Sequence, residues 1–162
     1  VLTQVPRFAG LLDVRSGTGF FRLNLWASAW QMFLDHPWLG VGPDNFLYAY
    51  RGFYILPAAW QEPNLSHPHN LALDFLSRLG VAGALCALAL IVGFWRAALR
   101  PTAAGGEAAL RLGLMALAAD MLAHGVVDHA YFLVDLAFVF SLALALIQTR
   151  PETAARPSAT PN

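Results

Sequence analysis

The 162-residue chain is 57% hydrophobic and only 12% charged, with a mean hydropathy of +0.52, far from the roughly 25% charged residues of soluble globular domains. That composition excludes an ordinary soluble domain and points to a membrane protein. A formal net charge of zero denies a nucleic-acid partner global electrostatic support, and the single cysteine, Cys86, excludes an intrachain disulfide framework or a cysteine-based metal centre.

Residues 1–19 mix apolar side chains with Pro6, Gly10, Gly17 and Gly19, a pattern that specifies a connecting segment better than a helix. The chain opens on Val1 with neither a signal-peptide pattern nor a complete span, and reads as the C-terminal part of a larger protein. From Phe20 to Leu34 the apolar residues Phe21, Leu25, Trp26, Ala29, Met32 and Phe33 recur at three- and four-residue spacing, which predicts an amphipathic helix. Asp35-His36-Pro37 ends it.

Gly40-Val41-Gly42-Pro43-Asp44-Asn45 is a turn cluster; no strand precedes it and Pro43 follows at once, so a nucleotide-binding reading fails. An aromatic stretch follows, with Phe46, Tyr48, Tyr50, Phe53, Tyr54 and Trp60, and its polar-tipped rings are expected at a membrane–water boundary.

Leu79 to Trp95 is a run of seventeen uncharged residues. Counted back to Asn70, the segment is long enough for a hydrocarbon core of about 30 Å. Gly80, Gly83, Ala87 and Gly93 within it are expected to permit close helix packing, and Cys86 to be a small buried apolar residue. A second span is predicted from Glu107 to about Val127 and a third from about Tyr131 to Ile147, before a Pro-, Ala- and Thr-rich tail expected to be disordered. The fold class is therefore all-α: a polytopic membrane-protein fragment with a long outer segment carrying an amphipathic helix (residues 1–69), about three transmembrane helices (70–149) and a tail (150–162). Arg96, Arg100 and Arg111 flank one short loop and Arg150 and Arg156 follow the last span. By the positive-inside rule that side is cytoplasmic, which places His69-Asn70 and the loop at Asp128-His129 together on the outer face.

The residues able to carry chemistry gather there. His69 offers a lone pair near neutral pH, held in a compact loop by His67 and Pro68, with Asn70 as helix N-cap and Asp74 in the opening turn. His67 and His69 as a metal pair lack a carboxylate at ligand spacing nearby, so no metal is expected. Arg22 lies one turn before Trp26 on the amphipathic helix and reads either as an ordinary interfacial arginine that snorkels or as a bidentate ligand of a phosphate at the membrane surface; Arg15 and Arg51 read more readily as ordinary interfacial arginines. Asp120, His124 and Asp128, spaced by four, share roughly one helix face and either pair with the neighbouring span or form the polar wall of an active cavity, while Asp135 either caps the last helix or faces the same cavity.

Arg22-Leu23-Asn24-Leu25-Trp26, then Asp35-His36-Pro37-Trp38-Leu39-Gly40-Val41-Gly42-Pro43, then His69-Asn70 with nine residues before Gly80-Val81-Ala82-Gly83, together resemble the O-antigen ligase family of membrane proteins over about residues 18–95. That superfamily also includes O-antigen polymerases and protein O-oligosaccharyltransferases. The resemblance implies a metal-independent, cofactor-free inverting glycosyltransferase of the inner membrane. It would move a glycan from an undecaprenyl diphosphate carrier, at the periplasmic face, to a hydroxyl of lipid A core, a growing glycan or a protein. It further implies His69 as the catalytic base, Arg22 as a diphosphate ligand and Asp128 as a late acidic substrate-binding residue. A second phosphate-binding arginine of the family has no counterpart here, so the fragment alone is expected to be inactive. The rival from another class is a transporter or channel-like module built on Asp120, His124 and Asp128.

Overall fold

The computed structural model describes residues 17–101, 105–128 and 134–148. The connecting segment before Gly17, with Arg15, and the tail from Pro151 lie outside these residues. Among those described, every regular element is helical: α1 (Gly17–Asp35), a short α2 (Phe46–Ala49) that continues as a π turn (Tyr50–Tyr54), a 3₁₀ turn (Pro57–Ala59), then α3 (Leu71–Ala98), α4 (Gly106–His124) and α5 (Val134–Gln148).

Two separate cores form. In the first, Leu25, Ala29 and Met32 of α1 close over Phe46 and Tyr50, so the apolar stripe read from the spacing of α1 is the one buried. The aromatic stretch divides accordingly. Phe46 and Tyr50 stack as core, with ring centroids 6.1 Å apart, whereas Tyr48, Phe53 and Trp60 are exposed. Ser28, buried on α1, donates to the Tyr54 carbonyl at 2.7 Å and fixes the far end of the π turn.

The second core joins Phe94, Ala97 and Ala98 of α3 to Leu114, Ala118 and Met121 of α4 and Phe140, Ala143 and Ile147 of α5. Arg111 sits below it: its guanidinium donates to the Ala97 and Arg100 carbonyls at 2.9 and 3.1 Å and pairs with Glu107 at 3.1 Å. It thereby satisfies carbonyls left over at the end of α3. Three helices stand where three spans are expected, and α3 alone among the described residues is both long and apolar enough to cross a membrane. Only 22% of its most apolar stretch is buried against protein. Leu85, Leu88, Leu90 and Val92 face outward, an apolar surface suited to lipid and not to water. Cys86 departs from the expectation of burial: it is exposed on this outward face, where the surrounding medium is apolar and burial against protein is unnecessary.

The feature that locks the two halves together is a break in α3. Gly80 has φ +64° and ψ −160°, a conformation open essentially to glycine alone, and the turn after α1 enters the gap. Val41 and Gly42 donate to the Ser77 and Arg78 carbonyls at 2.8 and 2.9 Å, while Val81 and Ala82 donate to the Pro37 and Trp38 carbonyls at 2.8 and 3.2 Å. Two carbonyls before the break and two N–H groups after it thus find partners on the turn. A Cβ on Gly40 would lie 2.3 Å from the Arg78 carbonyl carbon, and one on Gly80 2.4 Å from that of Trp38. The sequence reading of Gly80 as a helix-packing residue is corrected here: it is where a turn crosses a broken helix. The apolar part beyond it, Val81–Ala98, is eighteen residues long, about 27 Å at 1.5 Å each.

Candidate functional site

The loop Ser66-His67-Pro68-His69-Asn70 is held from three directions. From α1, the Trp26 indole N–H donates to the Pro68 carbonyl at 2.8 Å, and Pro68 is fully buried. From α3, Arg78 reaches back to the Ser66 carbonyl and, at 2.7 Å, to the Pro43 carbonyl, while its Nε pairs with Asp74 at 2.7 Å. From beneath, Asn70 caps α3 as expected. Its backbone is extended at φ −159° and its side-chain oxygen accepts the Leu73 N–H at 3.0 Å. Asp74, expected merely in the opening turn, is fully buried and is the partner of Arg78.

The same cap reaches the second stretch of interest. The Leu71 N–H donates to the Gly125 carbonyl at 2.7 Å and the Asn70 amide to the Val126 carbonyl at 2.9 Å. A Cβ on Gly125 would press to 3.0 Å on Leu71 Cβ. α4 ends at His124, and the turn that follows, closed by the Asp128 N–H on the His124 carbonyl at 3.0 Å, carries Asp128 under the histidine loop.

His69 Nδ1 lies 3.0 Å from Asp128 Oδ1 and 3.2 Å from His67 Nε2. His67 Nε2 is 3.8 Å from the same carboxylate oxygen, and the Ser66 hydroxyl is 3.1 Å from His67 Nδ1. His124 Nε2 stands 3.7 Å from Asp128 Oδ2. His69 itself has φ +50°, a left-handed conformation that costs a non-glycine residue about 1 kcal/mol or more and persists where its surroundings demand it. A neutral His69 that donates its Nδ1 proton to Asp128 leaves the Nε2 lone pair as acceptor, on a side chain still 27% exposed and so within reach of a substrate.

Of the predicted site residues, His69 and Asp128 are therefore brought into direct contact from 59 positions apart. Arg22 is half-buried on α1, one turn from the Trp26 that holds the loop, with no hydrogen bond or ion pair among the described residues. Of the shared face expected for Asp120, His124 and Asp128, only the last two meet; Asp120 is exposed on α4. Arg51 is an exposed residue 3.4 Å from Asn64, in keeping with its surface reading, and the side chain of Asp135 lies outside the described residues. The residue that sequence reasoning missed is Arg78, whose signal was present: an Asp74–Arg78 pair at i, i+4 in an otherwise apolar helix.

The family model described as O-antigen ligase matches residues 4–88, more than half of the chain. The chain belongs to the O-antigen ligase family. The matched region holds Arg22, the glycine crossing and both loop histidines; Asp128 lies beyond it. No curated protein and no solved structure matches the chain. Membership accords with the outward-facing apolar surface of α3, since a ligase of this family works in the membrane on lipid-linked glycan and its acceptor.

Proposed function

We propose that this O-antigen ligase family member transfers a glycan from an undecaprenyl diphosphate carrier to an acceptor hydroxyl at the periplasmic face of the inner membrane, with α3, α4 and α5 as its spans. The observation that carries the reading is the contact between His69 Nδ1 and Asp128 at 3.0 Å, which supports His69 as a base acting through Nε2. The acceptor oxygen attacks the anomeric carbon as its proton passes to His69 Nε2, and the bond from that carbon to the diphosphate oxygen breaks. The bonding pair departs with the diphosphate, and attack from the face opposite it inverts the centre. The leaving group is already a good one and needs charge stabilisation more than a proton, which is the role given to Arg22 with its two parallel donors. Asp128 holds the His69 tautomer, a positioning role in place of the substrate contact expected from the sequence.

The test is made on the full-length protein purified in lipid. Given lipid-linked glycan and candidate acceptors (lipid A core, free glycan or peptide), it should release undecaprenyl diphosphate in step with glycosylated acceptor. Which acceptor is used separates ligase from polymerase and protein oligosaccharyltransferase. Solute uptake into vesicles with no glycan product would replace this reading with a transporter.

A further inference from the structure

We propose that His67, His69 and Asp128 form a binding site for a borderline divalent cation of the zinc type, and that the cation shuts the base off. The inhibitory half of this proposal rests on the reading of His69 as the base; the binding half rests on geometry alone. His67 Nε2, His69 Nδ1 and Asp128 Oδ1 form a triangle with sides of 3.2, 3.0 and 3.8 Å. Ligands at zinc's usual 2.0–2.1 Å in a tetrahedron stand about 3.3 Å apart, so the three atoms already sit at the spacing of one tetrahedral face. The fourth position is left to water.

One cation can take a lone pair from each of the three atoms at once. The outer contacts fit a metal as well. The Ser66 hydroxyl lies 3.1 Å from His67 Nδ1 and can accept a proton from it, the tautomer in which Nε2 offers its lone pair to the ion. His124 approaches the other carboxylate oxygen at 3.7 Å, where it orients the ligand from outside. Two imidazoles and one carboxylate favour zinc or cobalt(II) over magnesium, which prefers oxygen donors. The carboxylate that no residue near 67–69 supplies in sequence arrives from the turn after α4.

The consequence for chemistry follows from which nitrogen is used. A cation on Nδ1 takes the position that Asp128 needs in order to hold the tautomer, and it fixes the remaining proton on Nε2. That nitrogen then has no lone pair with which to accept a proton from the acceptor hydroxyl.

The experiment uses the full-length protein in lipid, freed of metal with a chelator. Zinc alone is added in equilibrium dialysis, and cobalt(II) alone for its visible absorption. The expected result is one zinc per chain at micromolar concentration, persisting in millimolar magnesium, with a tetrahedral cobalt spectrum. In His67→Ala and in Asp128→Asn, binding weakens at least tenfold. Zinc also slows glycan transfer by the native protein over the range in which it binds, and whatever transfer His67→Ala retains is insensitive to that zinc. The absence of stoichiometric binding, or binding equally tight in both variants, overturns the site. The cobalt spectrum of the unaltered protein decides the matter if a variant fails to fold. Zinc bound at the triad with transfer undiminished leaves the site standing and contradicts the assignment of His69 as base.

Discussion

His69 is the only non-glycine residue at positive φ among those described, and the strain is spent on aim. Held by Trp26 through Pro68 and by the Asn70 cap beneath it, the imidazole has little choice but to present Nδ1 to Asp128. The sequence made His69 readable because it stands at the mouth of an apolar helix beside a capping Asn. It made the partnership with Asp128 unreadable, because the contact depends on two backbone carbonyls, of Gly125 and Val126, accepting from the start of α3. If Asp128 positions the base and does not touch the donor, Asp128→Asn should reduce kcat by about tenfold or more while leaving KM for the lipid-linked donor nearly unchanged. Steady-state kinetics with the full-length protein separate the two, and a rise in KM at constant kcat would return Asp128 to the substrate.

At the level of elements, the crossing of the Pro37–Gly42 turn through the broken α3 explains why two glycine-containing motifs distant in sequence belong together. Each has a glycine whose lack of a Cβ lets the other's backbone approach, and the four cross-connecting hydrogen bonds hold the segment that Arg78 then ties to the Ser66 carbonyl. Periodicity gave α1 within a few residues, and hydropathy placed the other three helices. Neither reports that a helix is interrupted, because Gly80 lies in an unbroken apolar run, and only the approach of a second backbone distinguishes a crossing from ordinary close packing. Replacing Gly80 with Ala must both leave an essentially glycine-only conformation and clear the Trp38 carbonyl carbon. The expected loss is about 2 kcal/mol or more, read as a lower thermal midpoint of the protein in detergent. A midpoint equal to that of the native protein would refute the crossing, and Gly93→Ala, where a Cβ meets nothing within 4 Å, is the control expected to change little.

In the whole molecule, two cores of different character meet at this crossing: one formed by α1 and the aromatic turn, the other by the helices around α3. Composition identified the second as a membrane part because its apolar surface is too extensive for water. The first was only half legible, since Phe46 and Tyr50 look in sequence like their exposed neighbours Tyr48 and Phe53. The histidine loop and Asp128 meet in one place, and the proposed function puts that place on the outer face, where a lipid-linked donor and an acceptor could both arrive. In the proposed mechanism Arg22, His69 and Asp128 divide the work into stabilising the departing diphosphate, taking the proton and holding the base. The most direct test is glycan transfer by full-length protein carrying His69→Ala, compared at equal amounts of folded protein with the unaltered enzyme under a saturating lipid-linked donor. The account predicts a fall of about 10²-fold or more with donor binding retained; transfer at the native rate would contradict it.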